Sequence, residues 1–344
     1  MDLKVPTSFI QQFDQRIRTI DSHTAGEPTR LVIGGIGEIP GESMRDKRQY
    51  FIDHLDPIRK RLTREPCGHT DMFTAVLTDP VTEGAKFGLI YMDPRRYPFL
   101  CGHATIAAAS TLIDAGLVRV PDGENSLIVD TPSGPMTIGV KVDNERTEAV
   151  TLQMVPSFVY NTGEILKVPE FGEIEVETVC VGGFFTMVNA SQLDIALKPE
   201  NSARLIKLGM EMIDLSNEQL TVAHPERPEV KTVDVVEFYE DASSDKQTNT
   251  GIVIYGESHM DRSPCGTGTT AKMTLLHHLG HLKIGEDYIN SGPLGTTFTG
   301  RLIRETFIGE QKAVVAEITS VANITGFHTF VLDDQDPFPE GYLL

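Results

Sequence analysis

The sequence predicts an α+β protein of two similar halves, each a set of short strands wrapped around one central helix. Three observations carry that expectation. The first is an internal repeat. "CGHATIAAASTLIDAGLVRV" from Cys101 and "CGTGTTAKMTLLHHLGHLKI" from Cys265 align with Cys, Gly, Thr105/Thr269, Ala107/Ala271, Leu112/Leu276 and Gly116/Gly280 in step, and repeated units point to duplicated architecture. The second is a succession of short β-branched runs bounded by Gly, Pro and Asp. The third is length: 344 residues is room for two domains of ordinary size, and no Gly/Ser-rich or Pro-rich linker interrupts the chain.

The strand-like runs are "RLVIGG", "DMFTAVLTD", "FGLIYM", "SLIVDTPSG", "MTIGVKV", "AVTLQMV", "ETVCVGGFFTMV", "TVDVVEFYE", "TGIVIYGE", "TTFTGRLIRE" and "KAVVAEIT". Residues 43–62 read instead as an amphipathic helix with a break at Pro57. Each repeat reads as a helix that begins at its cysteine and ends at Gly116 or Gly280, glycine being common just past a helix C-terminus. A strand-like "LVRV" or "HLKI" then follows. A further helix is predicted over 200–213. The divide between halves falls near "VPSFVYNTGE", 155–164.

Net charge is −19, with 40% hydrophobic and 23% charged residues. Such a field repels duplex nucleic acid and anionic membrane, so neither is an expected partner. The start lacks the apolar core and cleavage site of an export signal, and "ATIAAASTLI" is too short to span a bilayer. A cytoplasmic enzyme is the expectation. Four cysteines, Cys67, Cys101, Cys180 and Cys265, are too few for a disulfide framework in a chain this long, and with no CxxC pair a zinc site is not expected. No pyridoxal-phosphate lysine motif and no dinucleotide fingerprint is present, and "GTGTT" lacks the lysine of a phosphate-binding loop, so cofactor-free chemistry is expected.

"DRSPCGTGTTAK", 261–272, carries the chemical argument. Ser263 reads as the helix N-cap and Pro264 as its first residue, which puts Cys265 in the first turn beside unpaired N–H groups. The helix dipole there favours a thiolate and lowers the thiol pKa. The same N–H groups can hold a carboxylate, and Gly102 and Gly266 let an anion approach the backbone closely. Two such halves facing each other suit inversion of a carbon acid: one thiolate takes the α-proton and the opposite thiol returns one. Asp261, four residues before Cys265, can aim a carboxylate at a cationic amine. His103 lies two residues past Cys101. His23 and His69 read as scaffold, and Cys180 as inert core.

The chain resembles the proline racemase family over nearly its whole length. The resemblance lies in "IDSHTAGEPTRLVIGG", "REPCGHTDMF", "LCGHAT", "GGFF", "DRSPCGTGTTAK", "LGTTFTG" and "ITGFHTFVLDDQDP". It implies the diaminopimelate epimerase-like fold of two pseudo-symmetric halves. Residues 1–156 plus 322–344 would form the half carrying Cys101, residues 157–321 the half carrying Cys265, with the active site between them. It further implies two-base catalysis by Cys101 and Cys265, a carboxylate site on the N–H groups of Gly102, His103, Gly266 and Thr267, and a ring-nitrogen site at His103 and Asp261. Phe73 and Tyr255 would be apolar walls for the substrate ring, and the assembly a homodimer.

Within the family, trans-3-hydroxyproline dehydratases carry Thr where Cys265 stands, so two cysteines point to racemisation or epimerisation. The resemblance is nearest to the proline racemases. A 4-hydroxyproline 2-epimerase, a 3-hydroxyproline dehydratase with an atypical second cysteine, and a non-enzymatic amino-acid binding protein are the alternatives. The chain departs from the family pattern at "PRRY", 94–97, at Ala104, at Cys67 where Arg is usual and at Tyr255 where Phe is common.

Overall fold

The computed structural model describes residues 5–240 and 248–344. It is a strand-rich α/β structure of two compact units. The first takes the chain up to Thr24, Pro28–Val150 and Val321–Leu344; the second takes Ala25–Glu27 and Thr151–Ser320. The helices are α1 (Thr7–Ile10), α2 (Met44–Thr63), α3 (Gly102–Asp114), α4 (Ser202–Gln219) and α5 (Gly266–His278).

In the first unit the strand Arg16–Thr24 pairs antiparallel with Ala322–Val331, Arg16 opposite Val331 and Ile20 opposite Phe327. The chain end thereby returns to the chain start. Thr74–Thr78 pairs antiparallel with Phe87–Met92, which runs parallel to Gly123–Thr131, and Gly123–Thr131 forms a hairpin with Gly134–Asp143. Helix α2 lays Phe51, Ile58 and Leu62 against Val76, Ile90 and Met92. Its capping box, Ser43 with Asp46, satisfies two first-turn donors. The break expected at Pro57 does not occur: α2 runs through it. Proline removes one ladder bond, and the buried Ile58 and Leu62 on the following turns outweigh that loss.

The second unit is a longer ladder. Ser157–Val168 and Gly172–Val181 form a hairpin, Gly183–Asn189 continues it antiparallel, and Val233–Tyr239 adds in parallel. Thr248–Tyr255, Asp287–Ser291, Thr297–Ile308 and Gln311–Ser320 follow in order. Helix α4 packs Leu205, Leu208 and Met212 on Val236, Phe238, Ile252 and Ile254. It extends to Gln219 rather than ending near 213. The polar tail that hid this is anchored by Asn217, whose side chain bonds both the amide and the carbonyl of Val233.

The repeat helices α3 and α5 are buried almost all the way round. Every residue from His103 to Ile113 and from Gly268 to Leu275 is buried. Their ends repeat bond for bond. The amides of Leu117 and Val118 return to the Leu112 carbonyl, and those of His281 and Leu282 to the Leu276 carbonyl. Gly116 and Gly280 supply the positive φ, 69° and 77°, that this closure requires. "LVRV" and "HLKI" are consequently not strands, because their first amides close the helices instead of joining a ladder.

Candidate active site

Cys101 is the N-cap of α3, with ordinary extended backbone (φ −148°, ψ 117°). Its carbonyl accepts from the Thr105 amide at 3.1 Å and the Thr105 hydroxyl at 2.7 Å. The Tyr91 hydroxyl in turn lies 2.7 Å from that of Thr105. The thiol is half-buried, and its Sγ lies 3.2 Å from Nδ1 of His103, within reach for sharing a proton. The His103 ring packs edge-on against Phe73, centroids 4.9 Å apart, and its carbonyl accepts from the Thr24 hydroxyl at 3.0 Å. Cys101, Gly102, His103 and Phe73 therefore form one cluster in the first unit. Just upstream, Phe99 and Leu100 are exposed, and the Arg48 guanidinium lies 4.1 Å over the Phe99 ring.

Cys265 is likewise an N-cap. The expected arrangement, Ser263 capping with Cys265 inside the first turn, is corrected: α5 starts at Gly266, and the Cys265 Sγ itself accepts from the Gly268 amide at 3.4 Å. Ser263 acts one step back, its hydroxyl accepting from the Cys265 amide at 3.1 Å and donating to Asp261 Oδ1 at 2.7 Å. The Ser263 amide also donates to Asp261, at 2.8 Å. Thr267 places its hydroxyl 3.3 Å from the sulfur. Gly266 has open space where a side chain would project, with only Met154 Cε at 3.8 Å. Asp261, Cys265, Gly266 and Thr267 are thus brought together in the second unit.

The Cys265 backbone has φ 59° and ψ 123°, a region that costs a non-glycine residue on the order of 1–3 kcal/mol. What precedes it is held on both sides. The Pro264 carbonyl accepts from Thr269 Oγ1 and Asn290 Nδ2, each at 3.2 Å. Gly292 lies so close that a side chain there would meet the Ser263 carbonyl carbon at 2.7 Å.

The expected lowering of the Cys265 thiol is corrected too. Burial pushes it well above the ordinary thiol range, the Asp261 carboxylate adds to the rise, and Thr267 and the Gly268 amide pull the other way. A helix terminus offers a fraction of a charge, and full desolvation outweighs it. Cys180 is core, its thiol pushed up to about 11 by burial. Cys67 is half-buried, and its carbonyl accepts from Arg30.

The sequence reading missed Glu27 and His259. Glu27 is fully buried. Its Oε2 accepts from the Arg262 amide at 2.8 Å and its Oε1 lies 3.2 Å from His259 Nε2. The His259 ring packs on Tyr255 at 4.6 Å. This chain of contacts fixes the segment that carries Tyr255 and Asp261. Glu27 sits in "TAGEPTR", and only the partner brought from residue 259 gives it a role.

The proline racemase family model matches residues 19–343. The chain belongs to the proline racemase family. It is 42% identical to the proline racemase of Acetoanaerobium sticklandii, over 96% of this chain and 99% of that protein. It is 35% identical to the 4-hydroxyproline 2-epimerase of Streptosporangium roseum, over 94% and 97%. Among solved structures, a hydroxyproline epimerase from Agrobacterium vitis with bound trans-4-hydroxy-L-proline superposes with a TM-score of 0.84 at 28% identity, covering 96% of each chain. Membership makes this protein an isomerase of the racemase and epimerase type. Among the described residues no helix is long and apolar enough to cross a membrane, and no cluster of three or more His, Cys, Asp or Glu is placed to hold a metal ion.

Proposed function

We propose that this chain is a proline racemase that inverts the α-carbon without a cofactor, using Cys101 and Cys265 as its two acid/base groups. The observation that carries the reading is the duplicated cap: each cysteine ends its loop as the N-cap of a buried helix, with the carbonyl of each accepting from the amide four residues on. The N–H groups of Gly102, His103, Gly266 and Thr267 belong to first turns, where the helix supplies no partner. They would hold the substrate carboxylate and stabilise the charge that builds there as Cα loses its proton. One thiolate takes the proton from one face of Cα, and the other thiol gives its proton to the opposite face.

Asp261 lies where it raises the Cys265 thiol. A cationic ring nitrogen paired with Asp261 and His103 would cancel part of that charge, so substrate binding itself eases Cys265 toward ionisation. Phe73 and Tyr255 would wall the pyrrolidine ring. A second reading is 4-hydroxyproline epimerisation, favoured by the Tyr255 hydroxyl, which could accept or donate to a ring substituent, and by the epimerases among the relatives.

The test is Cys265→Thr, assayed by proton NMR in deuterium oxide with each proline enantiomer supplied separately. A hydroxyl is far too weak an acid to replace a thiol near neutral pH. Racemisation should vanish in both directions while one enantiomer still exchanges its α-hydrogen slowly through Cys101. Undiminished racemisation overturns the two-thiol reading. A polarimetric panel of L- and D-proline and the C2 epimers of 4-hydroxyproline decides the substrate.

A further inference from the structure

Glu237 is a buried acid that the chemistry above does not use. It stands in the strand Val233–Tyr239 and is fully buried. Among the described residues neither carboxyl oxygen has a hydrogen-bond donor. An ionised carboxylate in that setting would be costly. Two glycines make room for it. A side chain at Gly251 would come within 2.7 Å of Oε1, and one at Gly268 within 3.1 Å of Oε2.

The Gly268 gap shows what the acid is next to. The position of that missing side chain is 3.1 Å from Glu237 Oε2 and 3.3 Å from Cys265 Cβ. The two residues therefore border one small space, and the Gly268 amide beside it is the donor to Cys265 Sγ. Any alanine in place of Gly268 would fill the space that brings acid and cysteine together.

We propose that Glu237 is a positioning residue for Cys265, held as a neutral carboxylic acid behind the α5 N-terminus so that the thiol can ionise. The inference rests on the reading of Cys265 as an ionising thiol and deepens it. Were Glu237 a carboxylate, its charge a few ångströms behind the sulfur would oppose a second negative charge. The groups facing it are Lys272 of α5, Cys265 itself and Tyr288 of the strand Asp287–Ser291. Lys272 does not neutralise it by contact: its ammonium donates to the Glu240 carbonyl at 2.8 Å and lies 4.2 Å over the Tyr239 ring. Asn290 Oδ1, an acceptor without a donor among the described residues, borders the same Gly251 gap as Glu237 Oε1, where a second acceptor suits a protonated acid better than a carboxylate. Burial pushes Glu237 up to about 8, against the pull of Lys272, so the acid form prevails at neutral pH and is lost above it.

The experiment measures thiol ionisation directly, separately from turnover. Wild type and Glu237→Gln are alkylated with iodoacetamide from pH 6.5 to 9.5, and the rate at Cys265 is read by peptide mass spectrometry, with Cys67 in the same digests as control. Glutamine keeps the shape of the neutral acid and never acquires its charge. The Cys265 rates should agree within about twofold at pH 6.5. At pH 9 the variant should react about tenfold faster, the effect of removing one charge at this range through a partly polar interior. The Cys67 rates should stay unchanged. A merely structural glutamate would leave the shape of the Cys265 pH profile unmoved, and equal rates for both proteins across the whole range overturn the proposal. Should Glu237→Gln not fold, Glu237→Met, of similar length and uncharged, carries the same comparison. Loss of racemisation in either protein bears on the proposed function and not on this result.

Discussion

The strained backbone at Cys265 makes a prediction that can be separated from catalysis. The perturbation is a set of four variants: Cys265→Gly, Cys265→Ala, Cys101→Gly and Cys101→Ala. Both cysteines are N-caps, so the small advantage of Gly over Ala at that position applies to both. Both pairs also share the unfolded-state entropy cost of glycine, about 0.4–1 kcal/mol. The sites differ in backbone and in burial: φ is −148° at Cys101 and 59° at Cys265, and Cys265 is the more buried. Subtracting the Ala-to-Gly change at 101 from that at 265 therefore leaves the strain and the burial difference. Glycine relieves about 1–3 kcal/mol there. Against this stands one extra buried methyl lost at the more buried site, about 0.8 kcal/mol. The net expectation is that glycine is favoured at 265, relative to 101, by roughly 0.2–2.2 kcal/mol. Urea unfolding followed by circular dichroism reads it, each variant being compared within the transition of its own unit. A double difference that favours alanine at 265 would refute the strain argument. The hydrogen bonds around Ser263, Pro264 and Asp261 would then have no strain to hold.

Two further outcomes are expected. Tyr255→Phe should reduce turnover of 4-hydroxyproline more than that of proline, by on the order of 1 kcal/mol for one neutral hydrogen bond; equal effects would remove the hydroxyl from substrate choice. Asp130 accepts from the Val81 and Thr82 amides at 2.7 Å each, and those bonds hold its carboxyl below the usual range despite burial. A depressed acid stabilises the fold at pH values above its unfolded pKa, and that stability is lost as pH falls through the lower folded value. Asp130→Ala should therefore cost about 2 kcal/mol at pH 7 and progressively less below about pH 4; a penalty constant from pH 7 to pH 2 would contradict it.

What the sequence determined by itself was local and repeated. Two helices starting at Cys101 and Cys265 follow from a matched run of small residues closed by glycine, and the match extends to the bonds at Leu112 and Leu276. The strand runs were legible because β-branched residues cluster between turn formers. The proline racemase family was legible in "DRSPCGTGTTAK" and the motifs around it. Where a local signal competed with packing, the signal misled. Pro57 looks like a break in isolation, yet the buried face of α2 carries the helix through it. "LVRV" and "HLKI" have strand composition, yet their first amides are already taken by the helix ends.

The tertiary structure decided everything that depends on which distant residues share a space. Ser263 has the chemistry of a cap, but the bonds it makes to Asp261 and to the Cys265 amide give the cap to the cysteine. The dipole at a helix start is a local property. The burial that overrides it at Cys265 comes from strands packed against it, Val253 nearby and Val179 far along the chain. Glu27 and His259 meet across more than two hundred positions. Glu237 reads as one acid in a strand until Gly251 and Gly268 are seen to make room for its carboxyl beside a cysteine. Charge and desolvation act through distance in space, and a sequence records only distance along the chain.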